Sequence, residues 1–411
     1  MPRSKPSASD APKDPLPVLF VQTSMPVGGA ETLLVNLVRR LDPRRFRPEV
    51  VCLKEPGPLG EQLAREGYPV HSRLLSGKWD VRVLPRLASL MRRQRYAAVI
   101  TVGAGDKMFW GRLAARLAGV PLVASALHST GWPDGVGRLN RLLTPITDAF
   151  IAVAEPHGRF LVEFEGFPAQ RVHVIPNGVD TERFAPNPAS TAIRDELGVA
   201  ENTPLVGILA ALRPEKNHAL FLEVAHRVRR VVRDAAFVVV GDGPEHAAIE
   251  SRATELGLLD AANPAASALR MLGNRDDVPA VLAALDVLTL TSDNEANPVS
   301  ILEGMSCGVP VVATDVGSVG ESVIPGETGH LAPKGDADAL AARVVELLHE
   351  PLEARALGAN GRRRVQQRAS LEVMVGGYER LITESVARKT GVPTAATATP
   401  RTAPSEPAGV A

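Results

Sequence analysis

Residues 16–23 form a short apolar run of strand type. Gly28 and Gly29 follow, and then Leu33, Leu34, Leu37, Val38 and Leu41 recur at three- and four-residue spacing. This pattern predicts a strand, a glycine-rich turn and a helix. Further apolar runs at 48–53, 97–102, 121–127, 148–154 and 172–175 are separated by segments long enough for helices. Such alternation builds a parallel sheet covered by helices on both faces.

The rhythm lapses after Pro176-Asn177-Gly178-Val179-Asp180, in a polar stretch containing Pro186 and Pro188, and a domain boundary is placed there. A second alternating set predicts strands at 205–210, 236–240, 270–272, 286–291, 309–313 and 329–332. The expected organisation is a disordered tail over 1–16, a Rossmann-like domain over 17–185, and a second one over 186–370. A helix over 371–388 should return to the first domain, and a Pro/Ala/Thr-rich tail over 389–411 should be disordered. Two doubly wound α/β domains in tandem leave a cleft at the carboxyl ends of both sheets, where ligands of such folds bind.

Composition narrows the class. The chain has 411 residues, 45% hydrophobic and 22% charged, which suits two soluble globular domains. No apolar run reaches the ~18 residues that would span a bilayer, and the N-terminus lacks the apolar core of a signal peptide. A cytoplasmic protein is therefore expected. The two cysteines, Cys52 and Cys307, each lie in a hydrophobic stretch and read as buried thiols, with neither a disulfide framework nor a metal-ligand cluster. The net charge of zero hides an asymmetry: residues 1–180 hold 24 Lys+Arg against 16 Asp+Glu, a balance of +8 that the remainder cancels. Within 79–95, Arg82, Arg86, Ser89 and Arg93 share one helix face. They predict a basic amphipathic helix with weak, salt-sensitive attraction to anionic membranes at the inner face of the membrane. No nucleic-acid partner is expected.

Candidate chemistry gathers after the second set of strands. Glu295 and Glu303 bracket Ala-Asn-Pro-Val-Ser-Ile-Leu. Pro298 suits an early helical position, so free N–H groups around Val299, Ser300 and Ile301 would face the cleft and offer a diphosphate site. Arg213-Pro-Glu-Lys216 follows the first strand of the same domain and opens on the same edge. Its guanidinium fork and mobile ammonium suit a leaving group that gains negative charge.

Arg213-x-x-Lys216, Gly241-Asp-Gly243-Pro, Glu295-x7-Glu303, the run from Gly304 to Ala313, and Gly28-Gly-Ala-Glu31 together resemble the retaining GT-B glycosyltransferases of the large group 1 family. The match runs in register over roughly 18–385. The resemblance implies that Arg213 and Lys216 bind the diphosphate of a nucleotide-sugar donor, that Glu303 accepts hydrogen bonds from the ribose, and that Glu295 contacts the transferred sugar. It further implies that Gly28 and Gly29 admit phosphates and acceptor, that Gly273-Asn274 lies beside the base, and that His128 sits at the reacting sugar. The acceptor would be a glycan, a lipid-linked sugar or a small molecule. Two departures stand out: Ala296 replaces the family's usual Gly, which would be strained if that position needs a positive φ, and Gly304 replaces its usual Ala. Residues 260–268 look like an inserted surface loop.

No divalent metal or other cofactor is expected. The one D-x-D match, Asp336-Ala-Asp338, reads instead as a helix N-cap and a first-turn carboxylate. A dinucleotide-dependent dehydrogenase is disfavoured, because neither glycine cluster spells G-x-G-x-x-G. A sugar-nucleotide epimerase of the same fold and a silent nucleotide-sugar-binding module remain the alternatives.

Overall fold

The computed structural model describes residues 14–77, 80–103, 106–128, 141–187, 190–260, 262–263 and 266–391. The first alternating set becomes β1 (Leu16–Gln22), β2 (Phe46–Cys52), β3 (Val70–His71), β4 (Ala98–Val102), β5 (Leu122–Ala126), β6 (Ala149–Ala152) and β7 (Val172–Val174). They form one parallel sheet in the order β3-β2-β1-β4-β5-β6-β7. The two-residue β3 is too short to leave an apolar run and was not expected. The helices of this half are α1 (Gly29–Arg40), α2 (Gly57–Arg65), α3 (Val83–Gln94), α4 (Asp106–Ala118) and α5 (Glu155–Glu163).

The second set becomes β8 (Leu205–Leu209), β9 (Ala236–Val240), β10 (Leu269–Met271), β11 (Val287–Leu290), β12 (Val311–Thr314) and β13 (Gly329–Ala332), in the order β10-β9-β8-β11-β12-β13. Its helices are α6 (Ser190–Glu196), α7 (His218–Val231), α8 (His246–Glu255), α9 (Val278–Ala283), α10 (Val299–Ser306), α11 (Val319–Ser322), α12 (Ala337–His349) and α13 (Pro351–Arg368). The strands carry continuous Val/Leu/Ile/Ala runs because both faces are covered, and nearly every strand side chain is buried. In both sheets the strand order reverses beside the first strand of the set, β1 or β8, which opens a crevice at the carboxyl edge.

The chain crosses between the sheets twice. Val179 N–H donates to Ala369 O at 2.9 Å, and Leu371 N–H donates to Val179 O at 3.0 Å. The last helix, α14 (Leu371–Thr390), then inserts Leu371, Met374, Tyr378, Leu381, Ile382 and Val386 into the core beneath β1 and β5. Glu379 on α14 accepts from Asp42 N–H and from Arg45 at 3.0 Å, and Lys389 pairs with Asp148 at 2.7 Å. Cys52 and Cys307 are buried and unbridged. Among the described residues, no helix is long and apolar enough to cross a membrane.

Candidate active site

The carboxyl edge of the second sheet brings the Arg213–Lys216 loop and the Glu295 loop together. After β8 the chain enters a single 3-10 turn over Pro214–Lys216. Asn217 then takes a left-handed conformation and caps α7, its side chain accepting from Leu220 N–H. This turn projects Lys216 across the edge, where its Nζ lies 2.6 Å from Glu295 Oε1. Ser292 Oγ donates to the same oxygen at 2.7 Å. Thr291 Oγ1 donates to Asn217 O at 3.0 Å, and Asn217 Nδ2 donates to Asp293 Oδ1 at 3.2 Å. Asp293 N–H closes the tie on Glu215 O at 2.9 Å. Arg213 begins the turn and is exposed.

Glu295 is held from a third side. Ser318 N–H donates to Glu295 O at 3.1 Å, and Gly317 lies against that carbonyl with φ +55°. A Cβ on Gly317 would overlap Glu295 O outright, so the loop after β12 can approach this closely only with glycine there. The expectation of strain at Ala296 is overturned: every described non-glycine residue with positive φ is Arg73, Arg95 or Asn217. Ala296 is simply buried. The replacement at 304 has a packing cause, because a Cβ on Gly304 would collide with the Leu288 side chain of β11.

Pro298 is the N-cap of α10, with extended φ and ψ. The helix therefore starts at Val299, one residue later than the early helical position expected for Pro298. The orphan N–H groups of that first turn belong to Val299, Ser300 and Ile301. Glu303 sits one turn further along and is partly buried. Burial pushes its carboxyl up to about 8, and the nearby Arg183 opposes this only in part. Below Lys216, His218 is almost fully buried, and desolvation together with the lysine charge lowers it to about 4, so its ring is neutral at physiological pH. Asn274 is exposed in the loop after β10, beside Gly273, whose carbonyl accepts from Gly241 N–H at 2.8 Å.

The first sheet faces this edge. Gly28, in extended conformation, caps α1, and Gly29 is the first helical residue. His128 follows β5 and is partly exposed. Ala126 pairs with Ile151, and Leu127 N–H donates to Ile151 O at 2.9 Å, so the continued register sets His128 opposite Val153. Asn297 Nδ2, from the Glu295 loop, donates to Val153 O at 2.6 Å, and Asn177 Nδ2 donates to Asn297 O at 2.9 Å. A second tie runs from Glu155 N–H to Glu321 Oε2 at 2.8 Å. His128 and Glu295 are thus placed on two chain segments that meet at Val153. Sequence reasoning missed Ser292, Asn297, Gly317 and Ser318 as parts of the site. For Gly317 a signal existed, a glycine in the loop three residues after a strand end at the ligand-binding edge.

The expected N-cap role of Asp336 is borne out: its side chain accepts from Ala339 N–H at 2.9 Å. Asp338 pairs with Arg227 at 2.7 Å. On the first domain, Arg82, Arg86, Ser89 and Arg93 lie along α3 and its N-cap as expected, with His71, Ser72 and Leu74 completing a groove of about 600 Å³. Asp80 binds Arg82 at 2.7 Å and Arg86 at 3.2 Å. The aspartate is held well below its usual range by the Arg82 hydrogen bond. Trp79 lies outside the described residues, as do 261 and 264–265 of the supposed insertion and most of both tails.

Comparison with known proteins identifies the family and the fold. The family described as Glycosyl transferases group 1 matches residues 189–364, and Glycosyltransferase Family 4 matches residues 27–183. A GDP-mannose-dependent alpha-(1-6)-phosphatidylinositol monomannoside mannosyltransferase of Mycolicibacterium smegmatis is 30% identical over 74% of this chain and 80% of its own length. A UDP-Gal:alpha-D-GlcNAc-diphosphoundecaprenol alpha-1,3-galactosyltransferase of Escherichia coli is 28% identical over 73% of this chain and 79% of its own. The crystal structure of HepE from Anabaena in complex with UDP-glucose superposes with a TM-score of 0.78 at 23% identity, covering 89% of this chain and 99% of that one. The two tandem sheets are therefore the GT-B fold, and the chain belongs to the group 1 glycosyltransferases.

Proposed function

We propose that the chain transfers a sugar, with retention at the anomeric carbon, from a nucleoside-diphosphate donor held at the carboxyl edge of the second sheet. The observation that carries this reading is the convergence of Lys216 and Glu295 at 2.6 Å, beside the N-terminus of the helix that bears Glu303. A cation for the diphosphate, a carboxylate for sugar hydroxyls and a carboxyl for the ribose then lie along one ligand. Arg213 and Lys216 take up the charge that develops on the leaving diphosphate, aided by the N–H groups of Val299 and Ser300. The acceptor hydroxyl attacks the anomeric carbon from the face the diphosphate leaves. The bond from that carbon to the phosphate oxygen breaks, and a phosphate oxygen takes the acceptor's proton. His128 supports the sugar from the first domain, and Gly28 and Gly29 leave room for the acceptor.

No divalent metal takes part in this reading. The capping role of Asp336 and the ion pair of Asp338 account for the D-x-D match, and undiminished transfer in EDTA is expected. A lipid-linked or glycan acceptor is supported by the relatives that act on phosphatidylinositol monomannoside and diphosphoundecaprenol-linked sugar. The arginine-lined groove on α3 suits weak attachment to the anionic inner face of a membrane. Thermal-shift screening against UDP, GDP, ADP and their sugars, followed by transfer assays with the donor that stabilises most, tests the function. Hydrolysis or transfer that inverts the anomeric centre would sink the retaining mechanism, and donor isomerisation without an acceptor would favour the epimerase.

A further inference from the structure

The outer edge of the second sheet carries a cluster that the transfer reaction does not use. His330 is the second residue of β13, the edge strand of its sheet. Glu346 lies near the end of α12, and Glu353 lies in the first turn of α13. One ring nitrogen of His330 and one carboxylate oxygen from each glutamate all lie within 4.8 Å of one another.

Each member offers one ligand atom. The imidazole is only 7% exposed, and its Nε2 is buried with no hydrogen-bond partner, an arrangement that is costly when left uncompensated. Glu353 is exposed and makes no side-chain hydrogen bond or ion pair with a described residue. Glu346 Oε2 accepts from Arg343 at 2.7 Å, which orients the carboxylate and leaves its other oxygen available. Of the two carboxylates only Glu346 is paired with a guanidinium, and burial lowers the pKa of the imidazole beside them.

The geometry points to a divalent zinc-type site formed by His330, Glu346 and Glu353, stapling β13 to the two helices that pack on it. A neutral imidazole nitrogen and two carboxylate oxygens are ligands that Zn²⁺ and Co²⁺ accept, whereas Mg²⁺ and Ca²⁺ prefer all-oxygen shells. Ligand atoms around a tetrahedral zinc stand ~3.3 Å apart, given bonds of about 2.0–2.1 Å. The cluster need contract by no more than roughly 1.5 Å on that basis, and the exposed Glu353 side chain can move that far by a rotamer change. Water completes the shell on the solvent side. Because α13 also packs on α10, which carries Glu303, the metal acts on the rigidity of the donor platform and not on the transferred sugar.

The test uses the full chain after dialysis against a chelator. Titration calorimetry with Zn²⁺ should give one equivalent bound, with a raised melting temperature. Co²⁺ in its place should produce the visible absorption of a four- or five-coordinate ion. His330→Leu removes the imidazole while keeping the buried position apolar, and Glu353→Gln alters only an exposed side chain, so both should fold. Each should weaken Zn²⁺ binding at least tenfold and abolish the cobalt absorption. A wild-type chain that takes up no Zn²⁺ at micromolar concentration, or a Glu353→Gln chain that binds it with unchanged stoichiometry and affinity, would overturn the site.

Discussion

At the carboxyl edge of the second sheet, the loops are tied to one another by side chains: Lys216 and Ser292 to Glu295, Asn217 to Asp293, and Thr314 to Ser292 O at 2.6 Å. At the same edge of the first sheet, the described loops are tied mostly by backbone. Leu53 N–H donates to Gln22 O, Lys54 N–H to Thr23 O, Met25 N–H to Pro56 O, and Gly103 N–H to Ala126 O. Val27, before the glycine pair, is 74% exposed. A network made by side chains fixes charged groups against a ligand whose phosphates and ribose do not vary. Backbone ties leave the side chains of the first edge free to vary with the acceptor, as suits the variable half of a transfer reaction.

The sharpest way to break this contrast is to remove one charged tie. Lys216→Ala should lower kcat by about 10²–10³, the scale for losing one donor to a developing anion. At the first edge, Lys54, which is tied through its backbone N–H to Thr23 O and through its carbonyl to Arg73 N–H, should tolerate Lys54→Ala with less than about twofold change. Steady-state rates for both variants decide it, and equal losses would show that the two edges do not differ in this way.

Next in size is Gly317→Ala. The added methyl meets Glu295 O, and the backbone there has φ +55°. A loss of about 1–3 kcal/mol is expected from strain of this kind, read as a lower urea midpoint. Transfer should fall further than stability alone explains, because Glu295 must shift. A variant with wild-type midpoint and rate would remove Gly317 from the site.

The same contrast explains what the sequence could reveal. The alternation of apolar runs located nearly every strand, since buried parallel strands need continuous apolar residues, and only the two-residue β3 fell below that signal. Arg213, Lys216, Glu295 and Glu303 stood out through the set of motifs that resembles the group 1 family, since a charged pair in a loop or a carboxylate early in a helix is by itself common. Ser292, Asn297 and Ser318 did not. Asn297 and Ser318 act through residues distant in sequence, Ser292 reaches Glu295 only three residues on, and small polar residues are common in loops. The positive φ beside Glu295 belongs to Gly317, in the loop after the neighbouring strand, and its approach to Glu295 is a tertiary contact that local sequence cannot show.

A smaller effect separates the ribose carboxyl from the diphosphate cations. Burial raises Glu303 to about 8 from an ordinary 4.5. The folded chain therefore holds more protons than the unfolded chain between these values, and this group's contribution to stability falls as pH rises through that window. A carboxylate accepts ribose hydroxyls better than a neutral carboxyl does, so nucleotide affinity should tighten as pH rises, by at most about tenfold per unit, and level off above about 8. Calorimetry with the preferred nucleoside diphosphate tests this. Glu303→Gln should bind more weakly and lose the component of pH dependence that titration of the phosphate does not explain. Identical pH profiles for the two proteins would refute the linkage.

The smallest expected effect lies where the two edges meet. Glu321 Oε2 accepts from Glu155 N–H at 2.8 Å, at the first turn of α5, and Asn297 Nδ2 reaches Val153 O two residues earlier. Side chains of the second domain thus grip backbone of the first, the same division of labour seen at the two edges. A carboxylate at a helix N-terminus gains from the exposed N–H groups and the helix dipole, but solvent screens the pair. Glu321→Ala should therefore cost only about 0.5–1 kcal/mol of domain closure. That is roughly a two- to fivefold fall in the ratio of closed to open molecules. If, as proposed, the reaction needs His128 and Glu295 on one sugar, it occurs only in the closed form, so KM for the donor should rise by a similar factor while the melting temperature stays nearly constant. Small-angle scattering should show a slightly larger radius of gyration, and added salt should narrow the difference between variant and wild type. If Glu321→Ala leaves donor KM and radius of gyration unchanged at low salt, this bond does not hold the cleft, and closure rests on Asn297 and on the paired crossings at Val179 and Leu371.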